Sequence, residues 1–117
     1  VSMNIHITVG TRSFAATLTD NATVRAFRDR LPLTLEMDDL NRNEKYHDLD
    51  TTLPVDSHRP GQIQNGDLML YGSDCLVLVY DSFSSPYSDT RIGSGEDPDG
   101  LKEAVGDGSV SVTFSGQ

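Results

Sequence analysis

The first twenty residues contain two short segments in which apolar and polar side chains alternate. Successive side chains of a β-strand point to opposite faces, so this alternation predicts two strands that are each buried on one side. Gly10 and Thr11 lie between them and predict a turn, which makes the pair a hairpin. The apolar positions are Ile5, Ile7 and Val9 in the first strand and Phe14, Ala16 and Leu18 in the second.

The apolar spacing then changes to that of an amphipathic helix. Asp20 and Asn21 are both residue types that cap helix N-termini. Proline lacks an N–H and restricts the residue before it, so Pro32 predicts that the helix ends at about Arg30 or Leu31. Three apolar residues fall at positions i, i+3 and i+7 of one helical face. These residues are Val24, Phe27 and Leu31.

Alternation returns in the segment LTLEM, which predicts a strand with Leu33, Leu35 and Met37 on one face. The polar segment 38–61 has little periodicity, and we expect a long loop there. A short strand from about Lys45 to Leu49 within this segment is the alternative. A long loop in a compact domain is usually functional or disordered, so this segment is a candidate for carrying a site.

Two apolar runs, DLMLY and CLVLVY, are joined by Gly72–Asp74 and predict a second hairpin. The second run is apolar throughout, which indicates a strand covered on both faces. Residues 81–100 are rich in turn residues, and we expect irregular structure there. The segment GLKEAV predicts a short helix ended by Gly106, and SVSVTF predicts a last strand.

Mostly antiparallel strands with two helices predict a mainly β protein. In a chain of 117 residues we expect a small closed antiparallel β-barrel, because closure removes exposed strand edges, with the two short helices capping its ends. A chain of this length fits one domain. We expect the domain to span residues 4–115, and residues 1–3 to be either the remnant of a tag or cleavage site or the start of the chain.

The charge narrows the range of partners. Eighteen acidic and nine basic residues give a net charge of −9, so repulsion opposes binding to nucleic acid or to an anionic membrane surface. No segment approaches the roughly 18 consecutive apolar residues of a membrane span. We expect a cytoplasmic location, or a periplasmic or lipoprotein-anchored one if an N-terminal signal has been removed. The oligomeric state stays open.

The sequence contains no recognisable catalytic or cofactor motif. His6, His47 and His58 have no ligand-type partner at the spacing of a metal site. The glycines of IGSGEDPDG lack dinucleotide-binding spacing, and the acidic residues among them would repel phosphate. The single cysteine, Cys75, lies in an apolar strand and is expected to be buried and inert. We therefore expect no metal and no cofactor.

The two long polar segments supply the candidate binding residues. If both segments meet at one mouth of the barrel, their tyrosines would form aromatic walls around a few polar groups, which is typical of a ligand pocket. The alternative is that the tyrosines pack at the barrel rim while Glu44 and Arg91 or Lys45 form structural ion pairs. The candidate ligand-binding residues are Asn43, Glu44, Lys45, Tyr46, Tyr80, Ser85, Tyr87 and Arg91.

Four segments together resemble the bacterial cyclophilin-like domain family. They are LPLTLEMDDLNRNEKY, GDLMLYGSDCLVLVYDSFSSPYS, TRIG and DPDGLKEAVGDGSVSVTF, and their order and spacing both match. The resemblance extends from about Asn4 to Phe114. It implies a cyclophilin-like β-barrel, in agreement with the elements predicted above, and a small domain of a group that is mostly of unknown function.

The catalytic cyclophilins are matched less well. Their catalytic segment resembles H-R-x-x-P-G-F-M-x-Q-G-G-D, whereas this chain has HRPGQIQNGD with Arg59 directly before Pro60, no tryptophan, and no histidine after His58. We therefore expect a non-catalytic module that binds an extended or proline-containing peptide, or a small molecule. The alternatives are a prolyl isomerase with a non-standard site, in which Arg91 would donate to the prolyl amide, and a structural domain without a pocket.

Overall fold

A computed structural model of the protein describes residues 4–55, 61–85 and 89–116. Within these ranges the chain forms ten strands and two helices. The strands are β1 (Asn4–Val9), β2 (Arg12–Leu18), β3 (Leu33–Leu40), β4 (Glu44–Asp48), β5 (Gly61–Ile63), β6 (Asp67–Tyr71), β7 (Cys75–Val79), β8 (Phe83–Ser85), β9 (Thr90–Gly95) and β10 (Val110–Gly116). The helices are α1 (Ala22–Arg28) and α2 (Leu101–Val105).

Eight of these strands close into an antiparallel barrel in the order β1-β10-β3-β4-β7-β6-β9-β2. The mainly β fold class and the closed barrel predicted from the sequence are therefore confirmed. The other two strands, β5 and β8, pair only with each other. Neither helix in the described part of the chain has the length and apolar character needed to cross a membrane.

The first hairpin and the first helix form where the sequence predicts them. β1 and β2 pair from Asn4↔Thr17 to Val9↔Arg12. Asn21 caps α1, because its side-chain oxygen accepts the N–H of Val24 at 2.8 Å. The predicted end of the helix was wrong: α1 ends at Arg28, and the chain continues to residue 31 as a tighter turn with i→i+3 hydrogen bonds.

The barrel interior holds the main core. β1 and β2 contribute the apolar positions that their alternation predicts, and the two helices add Val24, Phe27, Leu101 and Val105. The rings of Phe27 and Phe114 meet edge to face with centroids 5.9 Å apart. Both helices therefore bury side chains in the same core as the barrel strands.

A second apolar cluster lies on the outer face of β6 and β7. Met69, Val77 and Val79 point away from the interior and pack with Ile63, while Phe83 packs against the group from the edge. Ile63 and Phe83 belong to β5 and β8, so this two-stranded sheet covers part of the barrel's outer face. The prediction that CLVLVY is covered on both faces is confirmed for the described residues, and its cover is the β5–β8 sheet.

The two predicted long loops contain more strand than the sequence indicates. The first contains β4, near the short strand considered as the alternative, and β5, which was not expected. The second contains β8 and β9, so the expectation of irregular structure from residue 81 to 100 was wrong. β5 and β8 have three residues each, too few to show a period, and β9 has only one large apolar residue, Ile92.

Closure of the barrel between β2 and β9 depends on Gly93. A Cβ atom at this position would lie 2.6 Å from the backbone carbonyl oxygen of Thr17 on β2. That oxygen cannot move without disturbing the pairing of Leu18 with Gly93. The strand therefore requires glycine here for close backbone approach.

We predict that Gly93→Ala lowers the free energy of unfolding by about 2 kcal/mol or more, because the added methyl forces β2 and β9 apart. Gly116→Ala is the control, since nothing lies within 4 Å of a Cβ at that strand position. Urea denaturation followed by circular dichroism measures both. Equal midpoints for the two variants would contradict the close approach at Gly93.

Candidate functional site

The residues of β4 are divided between the two sides of the barrel wall. Lys45 is fully buried on the inner side and pairs in register with Leu78 of the core. Glu44 and Tyr46 alternate with it and face outward, in register with Val79 and Val77 of the outer cluster. Four consecutive predicted site residues, from Asn43 to Tyr46, therefore do not share one pocket.

Lys45 is held inside the barrel by a compact polar network. Its Nζ donates to Asp39 Oδ1 at 3.1 Å and to the backbone carbonyl of Gly108. The same Asp39 oxygen accepts the hydroxyl of Tyr80. Lys45 Nζ also lies 5.3 Å from the centroid of the Tyr80 ring, within the range of a cation–π contact.

The network favours the charged form of Asp39 and the neutral form of Tyr80. Burial raises the pKa of Asp39, but the hydrogen bonds from Tyr80 and Lys45 outweigh it, so its net pKa is lowered. Burial, then the hydrogen bond to Asp39, raises the pKa of the Tyr80 phenol. Lys45 and Tyr80, two of the predicted ligand-binding residues, thus have Asp39 as their partner inside the barrel, not the Glu44 of the ion-pair alternative.

We predict that Lys45→Met lowers the free energy of unfolding by about 1–3 kcal/mol, because it removes the cation from Asp39, which is partly exposed and keeps its hydrogen bond from Tyr80. Lys102→Met is the matched control. Lys102 pairs with Asp81 at 2.9 Å on the surface, where such pairs contribute little. Urea denaturation should show a large shift of the midpoint for the first variant and almost none for the second. Similar shifts for both would show that the inner network does not stabilise the fold.

A cavity of about 300 Å³ lies on the outer face of the barrel beside the β5–β8 sheet. We call it the outer pocket. Its volume is at the lower end of the range for ligand sites, about 300 to 1,000 Å³. Its wall is mainly apolar, with a few polar groups. The apolar and aromatic lining residues are Leu40, Met69, Tyr71, Cys75, Val77 and Phe83, and the polar ones are Asn41, Glu44, Ser84 and Asp89.

Two carboxyl groups in the outer pocket are in unfavourable surroundings for a charge. Burial, together with the nearby charge of Asp89, raises the pKa of Glu44 to about 7. Burial also raises the pKa of Asp89. Asp89 is only 7% exposed, and its Oδ1 atom is buried without a hydrogen-bond partner in the described structure.

The pocket also contains the one cysteine of the chain. Burial, followed by the charge and hydrogen bond of Asp48, raises the pKa of the Cys75 thiol to about 12. A thiol with such a pKa is a poor nucleophile at neutral pH. Among the described residues, no group of three or more histidine, cysteine, aspartate or glutamate side chains is placed to hold a metal ion.

The other predicted site residues lie around this region. The backbone carbonyl of Asn43 accepts the N–H groups of Tyr80 and Asp81, so the turn before β4 does meet the end of β7. Arg91 forms an ion pair with Asp67 at 3.0 Å. The backbone of Ser85 ends β8, opposite Gly61. Tyr87, like His58 and Arg59 of the segment compared with catalytic cyclophilins, lies outside the described residues.

A second cavity, of about 390 Å³, lies between the end of α1, β3 and β4. Its cation already has protein partners, since Arg30 donates to the backbone carbonyls of Thr51 and Thr52. His47 Nδ1 lies 2.7 Å from the carbonyl oxygen of Glu36. His47 was expected in a loop and instead lies on β4. This cavity offers a ligand fewer unsatisfied groups than the outer pocket does.

Comparison with known proteins identifies the family. Residues 7–115, nearly the whole chain, match the cyclophilin-like family. The chain belongs to the cyclophilin-like family. This confirms the resemblance inferred from its four segments. The chain is also similar in structure to the hypothetical protein AF2241 from Archaeoglobus fulgidus, with a TM-score of 0.59, 20% sequence identity, and coverage of 100% of this chain and 96% of that one.

At this level of identity the archaeal structure supports the cyclophilin-like fold and nothing further. A search of curated proteins found no match to the chain. The site residues of this cyclophilin-like domain therefore have to be inferred from its own geometry.

Sequence reasoning missed most of the outer pocket. Asp89 is an isolated acidic residue in a serine-rich segment, and nothing in its sequence context marks it. The apolar wall of the pocket could have been predicted from the sequence. Met69 and Val77 occupy the outward positions of strands that are apolar on both faces. An apolar outer face needs a cover, and incomplete cover leaves a pocket.

We predict that Glu44→Gln stabilises the protein at pH 8 but not at pH 5. In the folded chain the pKa of Glu44 is raised from 4.5 to about 7, so the wild-type folded state retains a proton that the unfolded state loses between these values. The free energy of unfolding therefore falls as the pH rises through this window, by about 1–2 kcal/mol after allowance for partial exposure. Glu44→Gln has no ionisable group at this position, so its free energy of unfolding does not fall in this way as the pH rises.

Urea denaturation at the two pH values measures the effect. Glu36→Gln, which removes an exposed carboxylate from β3, controls for the change of one charge. An equal gain in stability at pH 5 and pH 8 for Glu44→Gln would contradict the raised pKa.

Proposed function

We propose that this cyclophilin-like domain is a non-catalytic binding module whose ligand occupies the outer pocket. The observation that carries the proposal is the combination of an apolar wall with two unfavourably placed carboxyl groups, Glu44 and Asp89. Apolar pockets with a few convergent polar groups and perturbed pKa values are the usual make-up of ligand sites. The small volume favours a small molecule, or one side chain or end of an extended peptide.

The prolyl isomerase alternative has less support from the geometry. It assigned Arg91 the role of donor to the prolyl amide, but the Arg91 guanidinium already pairs with Asp67 at 3.0 Å. Among the described residues that line the outer pocket, none is a lysine, arginine or histidine. A binding role needs only the apolar wall and the polar groups that are present.

We predict that small apolar probes shift the backbone amide signals of Met69, Val77 and Phe83 in the labelled protein. The probes are phenol, 1-hexanol and an Xaa-Pro dipeptide, titrated to millimolar concentration and followed by two-dimensional NMR. Exchange-broadened cis and trans signals of the dipeptide would instead support the isomerase alternative. No shift with any probe would contradict the binding function and leave the structural alternative.

A pair of tryptophan variants ties the shifts to the pocket. Ser84→Trp places a large ring at the pocket edge from an exposed position of β8 and should abolish them. Ser111→Trp makes the same change at an exposed position of β10 outside the pocket and should leave them unchanged. Equal loss in both variants would contradict binding in the outer pocket.

A further inference from the structure

The outer pocket has acceptors for a cation, and its lining residues in the described part of the chain include no lysine, arginine or histidine. Asp89 is more than nine-tenths buried, lines the pocket, and has an Oδ1 atom without a hydrogen-bond partner in the described structure. A buried acceptor without a partner is costly, and more so when it belongs to a carboxyl group. Glu44 lines the same pocket, where burial and the charge of Asp89 disfavour its own charge.

Two cations on the neighbouring strands, Lys45 and Arg91, already have carboxylate partners. Lys45 follows Glu44 in the chain, but it points to the other side of the barrel wall and bonds Asp39 and Gly108. Arg91, on the outer face, pairs with the buried carboxylate of Asp67. Either cation could turn to the pocket only by leaving its carboxylate partner, Asp39 or Asp67, which favours a ligand as the source of positive charge.

The pocket suits an organic ammonium better than a metal ion. Calcium takes about six to eight oxygen ligands and magnesium about six, whereas two carboxyl groups dominate the polar lining here. An ammonium group needs only a few acceptors. The remaining wall, formed by Met69, Val77 and Phe83, is apolar and would cover a hydrocarbon or aromatic body.

We propose that the ligand of the outer pocket is an apolar amine, whose ammonium group donates to Asp89 and Glu44 and whose apolar body packs on Met69, Val77 and Phe83. This inference rests on the binding function proposed above and specifies the class of ligand. The same chemistry is offered by a free arylalkyl amine and by the amino terminus of a peptide with an apolar first residue.

Three probes of similar shape test the charge requirement: 2-phenylethylamine, 2-phenylethanol and 3-phenylpropanoate, each titrated at pH 8 by NMR. Because charge-assisted hydrogen bonds are stronger than neutral ones, the amine should bind about tenfold more tightly than the alcohol. The propanoate should bind more weakly than the alcohol. Equal affinities of amine and alcohol would overturn the ammonium proposal and leave the binding function intact. Absence of pocket shifts with all three would overturn both.

Isosteric variants assign the effect to the two carboxyl groups. Glu44→Gln and Asp89→Asn should each weaken amine binding about fivefold or more and change alcohol binding less than twofold. Glu36→Gln, which removes the same charge from an exposed position on β3, should leave amine binding unchanged. An equal loss in Glu36→Gln would show that the amine responds only to net charge and would overturn the proposal.

Two further probes are used. The first tests whether the ligand is a free amine or a peptide amino terminus, and the second tests whether the pocket binds a metal ion instead. Phenylalanine amide carries the α-amino group of a peptide terminus, which is partly neutral at pH 8 because its pKa is about 7.7–8.0, so affinities are compared per ammonium form. Tighter binding than 2-phenylethylamine would then assign the site to peptide amino termini, and weaker binding to free amines. Calcium chloride alone tests the metal. Pocket shifts with calcium at micromolar concentration, together with displacement of the amine, would overturn the proposal in favour of a metal site.

Discussion

The alternation of side chains along β4 determines which charges this barrel buries and which it presents. In a closed barrel, a strand residue points either into the core or to the outer face. Lys45 points inward, where a charge is tolerated only if it is paired, and Asp39, Tyr80 and the Gly108 carbonyl surround it. Glu44, one residue earlier, points outward into the outer pocket. Of these two adjacent residues, Lys45 thus has partners for its charge, whereas the surroundings of Glu44 disfavour a charge.

The outer pocket follows from incomplete cover of an apolar outer face. Many antiparallel sheets have one face in the core and one in water, but β6 and β7 are apolar on both. The β5–β8 sheet covers part of their outer face through Ile63 and Phe83. The part of the outer face that this sheet leaves uncovered forms the apolar wall of the outer pocket. Glu44 and Asp89 lie at the border of this wall. The same short sheet therefore completes the second apolar cluster and shapes the site.

The sequence predicted the barrel because its local signals agree with one another. Period-two segments, the Asn21 cap and the apolar faces of both hairpins all indicate the elements that form, and the family resemblance agrees with them. The signals fail where a strand is too short to show a period, as in β5 and β8, or where glycine replaces the apolar residue, as at Gly93 of β9. Those strands depend on pairing with distant partners, such as Thr17 near Gly93, which local sequence does not record.

The site was harder to predict for a related reason. Sequence proximity suggested that residues 43–46 act together, but the strand period separates Lys45 from Glu44 and Tyr46. Tyr80 is predicted to line the same site as these residues. It does lie close to Asn43, whose carbonyl accepts two N–H groups at the end of β7. Asp89 comes from a different part of the chain. Asp89 directly precedes β9, and it reaches the pocket because β9 is the neighbour of β6 in the barrel. This strand order cannot be read from the local sequence.

The inner network and the outer pocket meet in the pairing of β4 with β7. The network fixes Lys45, and five register pairs hold β4 against β7, so the backbone of the neighbouring Glu44 is held beside the outer pocket. Its carboxyl group lines the pocket, where its charge is disfavoured. A cationic ligand that relieves this cost binds the folded chain and not the unfolded one, so its binding would stabilise the fold by mass action. If the proposed ligand binds, the stability of the fold would thus depend on occupancy of the pocket beside the β4–β7 pairing.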